Sequence, residues 1–391
     1  MSSAAPDPPP EDRTPRLIET AALFLRLGLT SFGGPAAHNA LIEQEVVQRR
    51  GWLTRERFLD LLAAASLVPG PTSTELAIHI GFTRAGVPGL FAAGLCFLMP
   101  AALLTTAFAW AYLRYGTIPQ VQAALYGIKP AVLAIVFAAV WRLGRTTARA
   151  PILTVAAASA VASLLGAGEL VVLMASGAAA MVARKLGIRA AMGALAVPWI
   201  AAASPAAAAG AAAGGGPTLA GLAAVFLKIG SLLFGSGYVL IAFLQGELVE
   251  QRGWITSQQL LDAVAVGQFT PGPVTSSAAF IGWLLAGPAG AAVSTAAIFA
   301  PSFLFVLVSN PLLARLRRSP AAGAFLDGVA AGSLGLMAAA AAILARGALQ
   351  GPVAWGIAAA SGLAVLRKPA LNSAWLVMGG ALAGLLAGAG R

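Results

Sequence analysis

Long apolar runs separated by short polar loops follow one another along this chain, in the same order in each half. The runs are rich in Ala, Leu and Gly and show no alternation with a period of two, which excludes a transmembrane β-barrel. They span 17–36, 86–114, 119–141, 151–166 and 169–183 in the first half and 219–240, 288–313, 321–345, 351–366 and 370–390 in the second, with interrupted stretches at 58–83 and 258–286. Since about 20 apolar residues cross a bilayer as a helix, the pattern predicts an all-α integral membrane protein with about 10 full spans.

The two halves are copies of one unit. Residues 24–71 recur at 226–273, where 18 of the 48 aligned positions are identical, against about 4 expected by chance at average composition. We therefore expect a flexible tail over 1–16, a first repeat over 17–189, an Ala/Gly-rich linker over 190–217 and a second repeat over 218–391. In an apolar chain, such duplication is typical of transporters whose substrate site lies between the repeats.

Composition and charge narrow the class of protein. Hydrophobic residues make up 59% of the 391 residues and charged residues only 10%, which is too little polar surface for a soluble enzyme. The 25 Lys and Arg exceed the 14 Asp and Glu. They lie in short loop clusters between apolar runs, so we expect contact with membrane lipid and no nucleic-acid partner. One Cys and two His cannot form a dedicated zinc site, so neither a metal nor a cofactor is expected.

The interrupted stretches carry the most specific local signals. Thr54 and Thr256 each follow Arg-Gly-Trp and are suited to cap a short helix. Each such helix then meets Pro69-Gly70-Pro71 or Pro271-Gly272-Pro273, and proline breaks a helix because it lacks an N–H and clashes with the preceding turn. The break belongs either to a re-entrant hairpin or to a helix that crosses the membrane.

A second glycine-rich motif lies earlier in each repeat. Phe32-Gly33-Gly34-Pro35 recurs more loosely as Phe-Gly-Ser-Gly at 234–237. It indicates either a tight backbone passage or a close contact between helices.

Basic residues form clusters that suit cytoplasmic loops. The clusters are Arg49/Arg50/Arg55/Arg57, Arg142/Arg145/Arg149 and Arg184/Lys185/Arg189 in the first half, and Arg315/Arg317/Arg318 and Arg367/Lys368 in the second. All of them lie on one side if each interrupted stretch returns to its own side and the second half is inserted upside down. This predicts two inverted-topology repeats with the N-terminus outside.

Two basic residues lie inside apolar runs at equivalent places, Arg26 and Lys228. Charge within a membrane costs about 2.5–3.5 kcal/mol on insertion scales, so it faces a cavity, a partner or a ligand. Together with Lys129, these residues suit an anionic substrate, or else they pair with neighbouring carboxylates.

The helices that begin after the Pro-Gly-Pro breaks offer backbone N–H groups at their N-termini. Hydroxyl donors follow at Thr72, Ser73, Thr74, Thr275, Ser276 and Ser277. Many donors with modest positive charge suit a tetrahedral oxyanion.

Four carboxylates also occupy equivalent places, Glu45 with Glu247 and Asp60 with Asp262. They are candidates for proton exchange if desolvation stabilises their neutral form, or for helix capping and pairing with Arg. The sequence has no Gly-rich phosphate loop for ATP, so we expect an ion gradient to supply the energy.

The FGGP motif at 32–35, the Arg-Gly-Trp entries and the paired Pro-Gly-Pro motifs resemble the chromate ion transporter family, in particular its long-chain members with two fused homologous halves. The resemblance covers nearly the whole chain outside 1–16 and 190–217. It implies a secondary transporter, not an enzyme, that exports chromate across the bacterial inner membrane. It further implies chromate resistance, dependence on the proton motive force, and sulfate as a related oxyanion.

Other functions remain open at this stage. A carrier of another oxyanion such as sulfate or molybdate would share every feature above. A passive channel needs a continuous polar lining, and few polar positions recur at helical spacing. A homo-oligomer is neither required nor excluded.

Overall fold

The computed structural model describes residues 13–32, 34–66, 68–146, 150–185, 216–234, 237–316, 319–368 and 371–388. Every regular element in these ranges is helical. The first half contains α1 (Arg13–Thr30), α2 (Pro35–Glu43), α3 (Arg55–Ala65), α4 (Thr72–Tyr115), α5 (Pro119–Thr146), α6 (Ala150–Leu164) and α7 (Glu169–Lys185). The second contains α8 (Leu219–Leu232), α9 (Leu240–Leu244), α10 (Ser257–Phe269), α11 (Ser277–Leu316), α12 (Pro320–Ala348), α13 (Pro352–Arg367) and α14 (Ser373–Gly388). Turns of π-helix at Gln44–Arg49 and Gln245–Gln251 prolong α2 and α9, and 3-10 turns at Gly237–Val239 and Val274–Ser276 precede α9 and α11.

Long apolar helices dominate both halves. Within the described ranges, four stretches are long and apolar enough to cross a membrane: Thr72–Tyr115, Pro119–Arg145, Val274–Val308 and Pro320–Ala348. Shorter apolar helices lie at Ile152–Leu164, Leu219–Leu232, Pro352–Arg367 and Ser373–Gly388. These lengths describe an all-helical, multi-pass membrane protein. They do not confirm the expected count of about 10 full spans.

The first apolar run of each half is interrupted rather than continuous. α1 ends at Thr30 and α2 begins at Pro35, directly after Gly34 with a φ of 82°. Glycine adopts this backbone without strain, and proline at the first helical position needs no N–H partner. In the second half α8 ends at Leu232, and helical turns resume at Gly237. The expectation of single spans over 17–36 and 219–240 is therefore wrong.

The start of the chain also differs from expectation. α1 already begins at Arg13, inside the segment predicted as a tail. Glu19 forms a 2.9 Å ion pair with Arg84, whose guanidinium carbon lies 4.6 Å from the ring centre of Trp52. The start of α1 thus lies at the same end of the molecule as the basic cluster at 49–57, and the expectation that the N-terminus lies on the other side is wrong. Residues 1–12, and 186–215 with most of the predicted linker, lie outside the described residues.

α4 and α11 are each two helices joined by a sharp turn. Ala85-Gly86 in α4 and Ala286-Gly287 in α11 leave the helical conformation with nearly the same angles, including a φ of 64° and 59° at the two glycines. Beyond the turn the chain folds back, so Gly81 packs directly against the backbone of Gly89. A side chain at either position would collide with the opposite helix, which is why glycine stands there.

α3 and the first segment of α4 form a helical hairpin with Pro69-Gly70-Pro71 at its tip. Trp52 lies just before α3, and Arg84 lies at the end of the returning segment. Because these two side chains stack on each other, the hairpin begins and ends at the same end of the molecule. The sequence left open whether the interrupted stretch returns or crosses. In the first half it returns to the end of the molecule at which it began.

The two halves interlock. The long helix α5 packs against α13 and α14 of the other half, and its counterpart α12 packs against α6 and α7. Both contacts are made close by glycine at equivalent positions: Gly127 meets the backbone of Gly380 and Gly384, and Gly328 meets that of Ser176. A continuous apolar core then joins both halves. Neither repeat buries its apolar faces without the other.

Candidate functional site

The helix breaks of the two halves are bonded to each other. The Gly70 N–H donates to the carbonyl of Leu233 (2.7 Å), and the Gly272 N–H donates to the carbonyl of Ser31 (2.9 Å). Each Pro-Gly-Pro motif therefore meets the point where the first helix of the other half ends. We call the described residues of 31–34, 69–71, 233–234 and 271–273 the break cluster. It is the place where most non-helical backbone inside the bundle comes together.

Local sequence explains why the breaks form. Thr54 caps α3 by accepting the Arg57 N–H (3.2 Å), and Thr256 caps α10 by accepting the Gln259 N–H (3.1 Å), as predicted. Both helices end before Pro-Gly-Pro, where Gly70 and Gly272 have φ values of 143° and 98°. Helix resumes at once, with α4 at Thr72 and a turn at Val274. The N–H groups of these new helix starts face the break cluster, as an anion site requires.

The predicted hydroxyl groups line these helix starts and are nearly all buried. Ser276 is hydrogen-bonded to Thr105 (3.3 Å), and Ser277 donates to the carbonyl of Val274 (2.7 Å). Thr74 and Thr275 have buried hydroxyl oxygens without a hydrogen-bond partner among the described residues. An unpaired buried hydroxyl is costly, so these two groups are available to a ligand. Thr72 is only partly buried.

A histidine that the sequence analysis did not single out holds the first break. Nε2 of His38 lies 3.1 Å from the carbonyl oxygen of Ser31, and Nδ1 lies 3.3 Å from the hydroxyl of Ser73. A carbonyl can only accept, so Nε2 carries the hydrogen. Because burial disfavours a charged imidazolium, we infer the neutral ring, whose Nδ1 then accepts from the Ser73 hydroxyl. It fixes the end of α1 relative to the start of α4.

The cations predicted to bind substrate are paired with the carboxylates predicted to exchange protons. Arg26 lies 2.5 Å from Glu45, which also contacts Arg49 (2.7 Å) and Arg50 (3.6 Å). At the equivalent place in the second half, Lys228 contacts Glu247, and Arg252 lies 3.6 Å from the same carboxylate. Of the two possibilities stated for these cations, the structure therefore shows the one in which they pair with neighbouring carboxylates. The first cluster keeps an excess of positive charge, because three guanidinium groups surround one carboxylate.

The third predicted cation lies in a polar cavity of about 500 Å³. Lys129 is 3.3 Å from Asp262, and the hydroxyl of Tyr112 donates to the other oxygen of that carboxylate (3.0 Å). Tyr126, Gln259 and Gln350 are among the other polar residues of the wall. The cavity thus lies between the two halves, with Tyr112 and Lys129 from the first and Asp262 from the second. The equivalent of Asp262 in the first half, Asp60, is exposed.

Comparison with known proteins now assigns the family. The family model for chromate transporters matches residues 18–183 and again residues 220–385. A chromate transport protein of Cupriavidus metallidurans is 33% identical over 95% of this chain and 93% of its own length. The chain belongs to the chromate transporter family.

Two further relatives agree with that assignment. A probable chromate transport protein of Synechococcus elongatus is 32% identical over 85% of this chain and 86% of its own length. A chromate transport protein of Pseudomonas aeruginosa is 33% identical over 85% of this chain and 81% of its own length. No solved structure matches the fold. The two matched segments confirm the duplicated, long-chain form, and family membership makes the protein a transporter and not an enzyme.

One further acidic residue of this chromate transporter family member was missed from sequence. Glu75 lies in the first turn of α4 and is fully buried. Its Oε1 is 3.5 Å from the hydroxyl of Ser302 in α11, and its Oε2 has no partner among the described residues. The available signal was that Glu75 is the only acidic residue within 61–83. It was overlooked because it has no counterpart in the second repeat, where Ser follows the second break.

Proposed function

We propose that this protein is a secondary transporter that exports chromate across the bacterial inner membrane, driven by the proton motive force, and that it confers chromate resistance. The observation that carries the proposal is the break cluster, where helix starts from both halves meet in the interior. The curated relatives named for chromate transport support the choice of substrate. Export suits the energetics of a dianion, because a membrane potential that is negative inside drives negative charge outward.

The substrate path runs through the break cluster. Chromate is a tetrahedral dianion, and its four oxygens need several donors at once. The N–H groups at the starts of α4 and α11 supply backbone donors, and Thr74 and Thr275 supply hydroxyls that have no other described partner. Arg26, Lys228 and Lys129 provide positive charge around this route. Their carboxylate partners keep each cation neutralised until the anion arrives.

The two halves have opposite orientations in the membrane. Two contacts of α5 support this arrangement. Near its start, Tyr126 donates to the carbonyl of Gln350, just beyond α12 (2.8 Å); near its end, Arg142 donates to the carbonyl of Val365 in α13 (3.0 Å). Since a helix rises about 1.5 Å per residue, these contacts lie roughly 24 Å apart. The ends of α5 and α13, which bear basic clusters, thus share a side, and we assign that side to the cytoplasm.

Uptake into everted membrane vesicles tests the function. Vesicles with the full chain should accumulate labelled chromate when respiration energises them, and an uncoupler should abolish the uptake. The matched control replaces Pro69 and Pro71 by Ala and leaves Gly70 in place, which lets helix extend into the break and should remove transport; its abundance in the membrane is measured in parallel. Sulfate and molybdate are tested in parallel. Transport of either with no chromate uptake would reassign the protein to another oxyanion, and no uptake of any of them would overturn the proposal.

A further inference from the structure

Glu75 differs from every carboxylate that the sequence singled out. Glu45, Glu247 and Asp262 each lie against one or more cations, and Asp60 is exposed. Glu75 is fully buried and forms no ion pair with any residue that the structure describes. Its carboxyl group lies against Gly70, so closely that a side chain at that glycine would occupy the same space. It therefore belongs to the first break itself.

Among the described residues, no cationic side chain is paired with the Glu75 carboxyl group. α11 contributes the Ser302 hydroxyl (3.5 Å). His38 of α2 is hydrogen-bonded to Ser73, Glu43 at the end of α2 is paired with Arg55, and Asp262 of α10 is paired with Lys129. On α4 itself, His79 lies one turn further along the helix. An ionised carboxylate here would be an unpaired charge away from water, so the described conformation holds the protonated acid. Buried acids of this kind mark proton routes in membrane proteins.

We propose that Glu75 carries the proton that is coupled to movement of the oxyanion. The inference rests on the proposed function and names a coupling residue for it. When the first break opens to water on one side, the carboxylic acid releases its proton to that water and becomes a carboxylate. A carboxylate and a dianion in one break cluster repel each other. Proton and oxyanion therefore occupy the cluster together and leave it together.

The charge balance agrees with export. A dianion accompanied by one proton still carries one negative charge, so the electrical part of the proton motive force, negative inside, drives its outward movement, while the pH gradient opposes it. Within the described part of the chain, the second break has no carboxyl group at the place of Glu75, where Ser276 stands. There the equivalent glycine, Gly272, lies against Ala101, and the hydroxyl of Ser276 is bonded to Thr105. We expect one coupled proton for each oxyanion.

The test uses the full chain reconstituted in liposomes that contain a pH-sensitive dye, with a chromate gradient as the only driving force. The wild type should move protons together with chromate. Glu75→Gln keeps the shape and a hydrogen bond to Ser302. It should lower the number of protons moved per chromate to near zero and remove the dependence of transport on pH. The matched control is Glu56→Gln, an exposed residue at the start of α3, which should keep both properties.

Each outcome decides the proposal. If the wild type moves no chromate, the proposed function fails and this inference falls with it; if it moves chromate without protons, only the inference fails. A proton flux in Glu75→Gln equal to that of the wild type also overturns it. Should Glu75→Gln not fold, the wild type is treated with a hydrophobic carbodiimide, which reacts with protonated acids in apolar surroundings. Labelling of Glu75 in proportion to lost proton flux supports the proposal, and lost flux without labelling at Glu75 contradicts it.

Discussion

The hairpin that leads into the long crossing helix folds alike in the two halves, whereas the polar side chains around it do not. Gly51 and Gly253 both have a φ of 60°, and Gly86 and Gly287 have 64° and 59°. Yet the first break holds Glu75 against Ser302, while Gly272 in the second break lies against Ala101 and the carbonyl of Phe97. Similarly, Asp262 is buried beside Lys129 while its equivalent Asp60 is exposed.

This difference separates two roles that a duplicated transporter must fill. The glycines and prolines set a backbone that both halves need in order to open and close around one site. The buried polar groups act on the substrate and its coupling ion, and a single copy of each is enough for that. Because the two halves share a backbone but differ in their buried polar groups, we expect equivalent substitutions in the two halves to have unequal effects.

The largest difference is expected at the two ion-pair clusters. Glu247 is fully buried and would keep only Arg252 at 3.6 Å after Lys228→Gln, whereas Glu45 would keep Arg49 and Arg50 after Arg26→Gln. Removing one partner of a buried pair is strongly destabilising, so Lys228→Gln should lower the free energy of unfolding by about 3 kcal/mol. Arg26→Gln should lower it by about 1 kcal/mol at most. Denaturant titration of the purified protein in detergent measures both.

A second substitution checks the reason for that difference. If the uncompensated Glu247 carboxylate causes the loss, then adding Glu247→Gln to Lys228→Gln should restore most of the stability. Equal and small effects of Arg26→Gln and Lys228→Gln would show that the two clusters are energetically alike.

The next largest effect is expected at the polar cavity. Asp262→Asn removes the charge opposite Lys129 and weakens the bond from Tyr112, two contacts that link the second half to the first. A hydrogen bond to a charged group contributes roughly 1.5–3 kcal/mol, so chromate transport should fall about ten- to hundred-fold. Asp60→Asn, at the exposed equivalent, should change the rate less than about twofold. Initial rates in everted vesicles, normalised to protein abundance, are the measurement. Equal losses in the two variants would show that the two aspartates contribute alike to transport.

The smallest effect is expected at the helix caps. Thr54 and Thr256 each accept one N–H, but Gln259 also returns a side-chain bond to the Thr256 N–H (2.8 Å). Loss of a threonine cap costs about 1 kcal/mol. Because alanine keeps the backbone N–H that the Gln259 side chain accepts, Thr256→Ala should destabilise no more than Thr54→Ala, as seen in the unfolding midpoint. A clearly larger loss in Thr256→Ala would mean that the two bonds of this cap depend on each other.

The sequence predicted those features that depend on a local signal. Pro-Gly-Pro ends a helix wherever it stands, and Thr before a helix caps it, so both breaks and both caps were correctly placed. The length of the first apolar run led to the wrong prediction of one continuous span, because Gly34 with Pro35 interrupts an otherwise uniform apolar stretch. Contacts between distant residues could not be foreseen: the bond from Gly70 to Leu233 depends on how the halves interlock. Glu75 was missed because a search for repeated residues overlooks those present only once.

In the proposed arrangement, two oppositely oriented halves share one break cluster. The membrane side of three single cysteines, placed at Arg145, Arg346 and Lys368 after Cys96 is replaced by Ser, reports the orientation of each half. Arg145 and Arg346 are equivalent positions in the two repeats, near the ends of α5 and α12, and Lys368 follows α13. An impermeant thiol reagent applied to intact cells and to everted vesicles should find cysteines 145 and 368 on the cytoplasmic side and cysteine 346 on the outer side. Labelling of cysteines 145 and 346 from the same side would show that the two halves have the same orientation, contrary to the proposal.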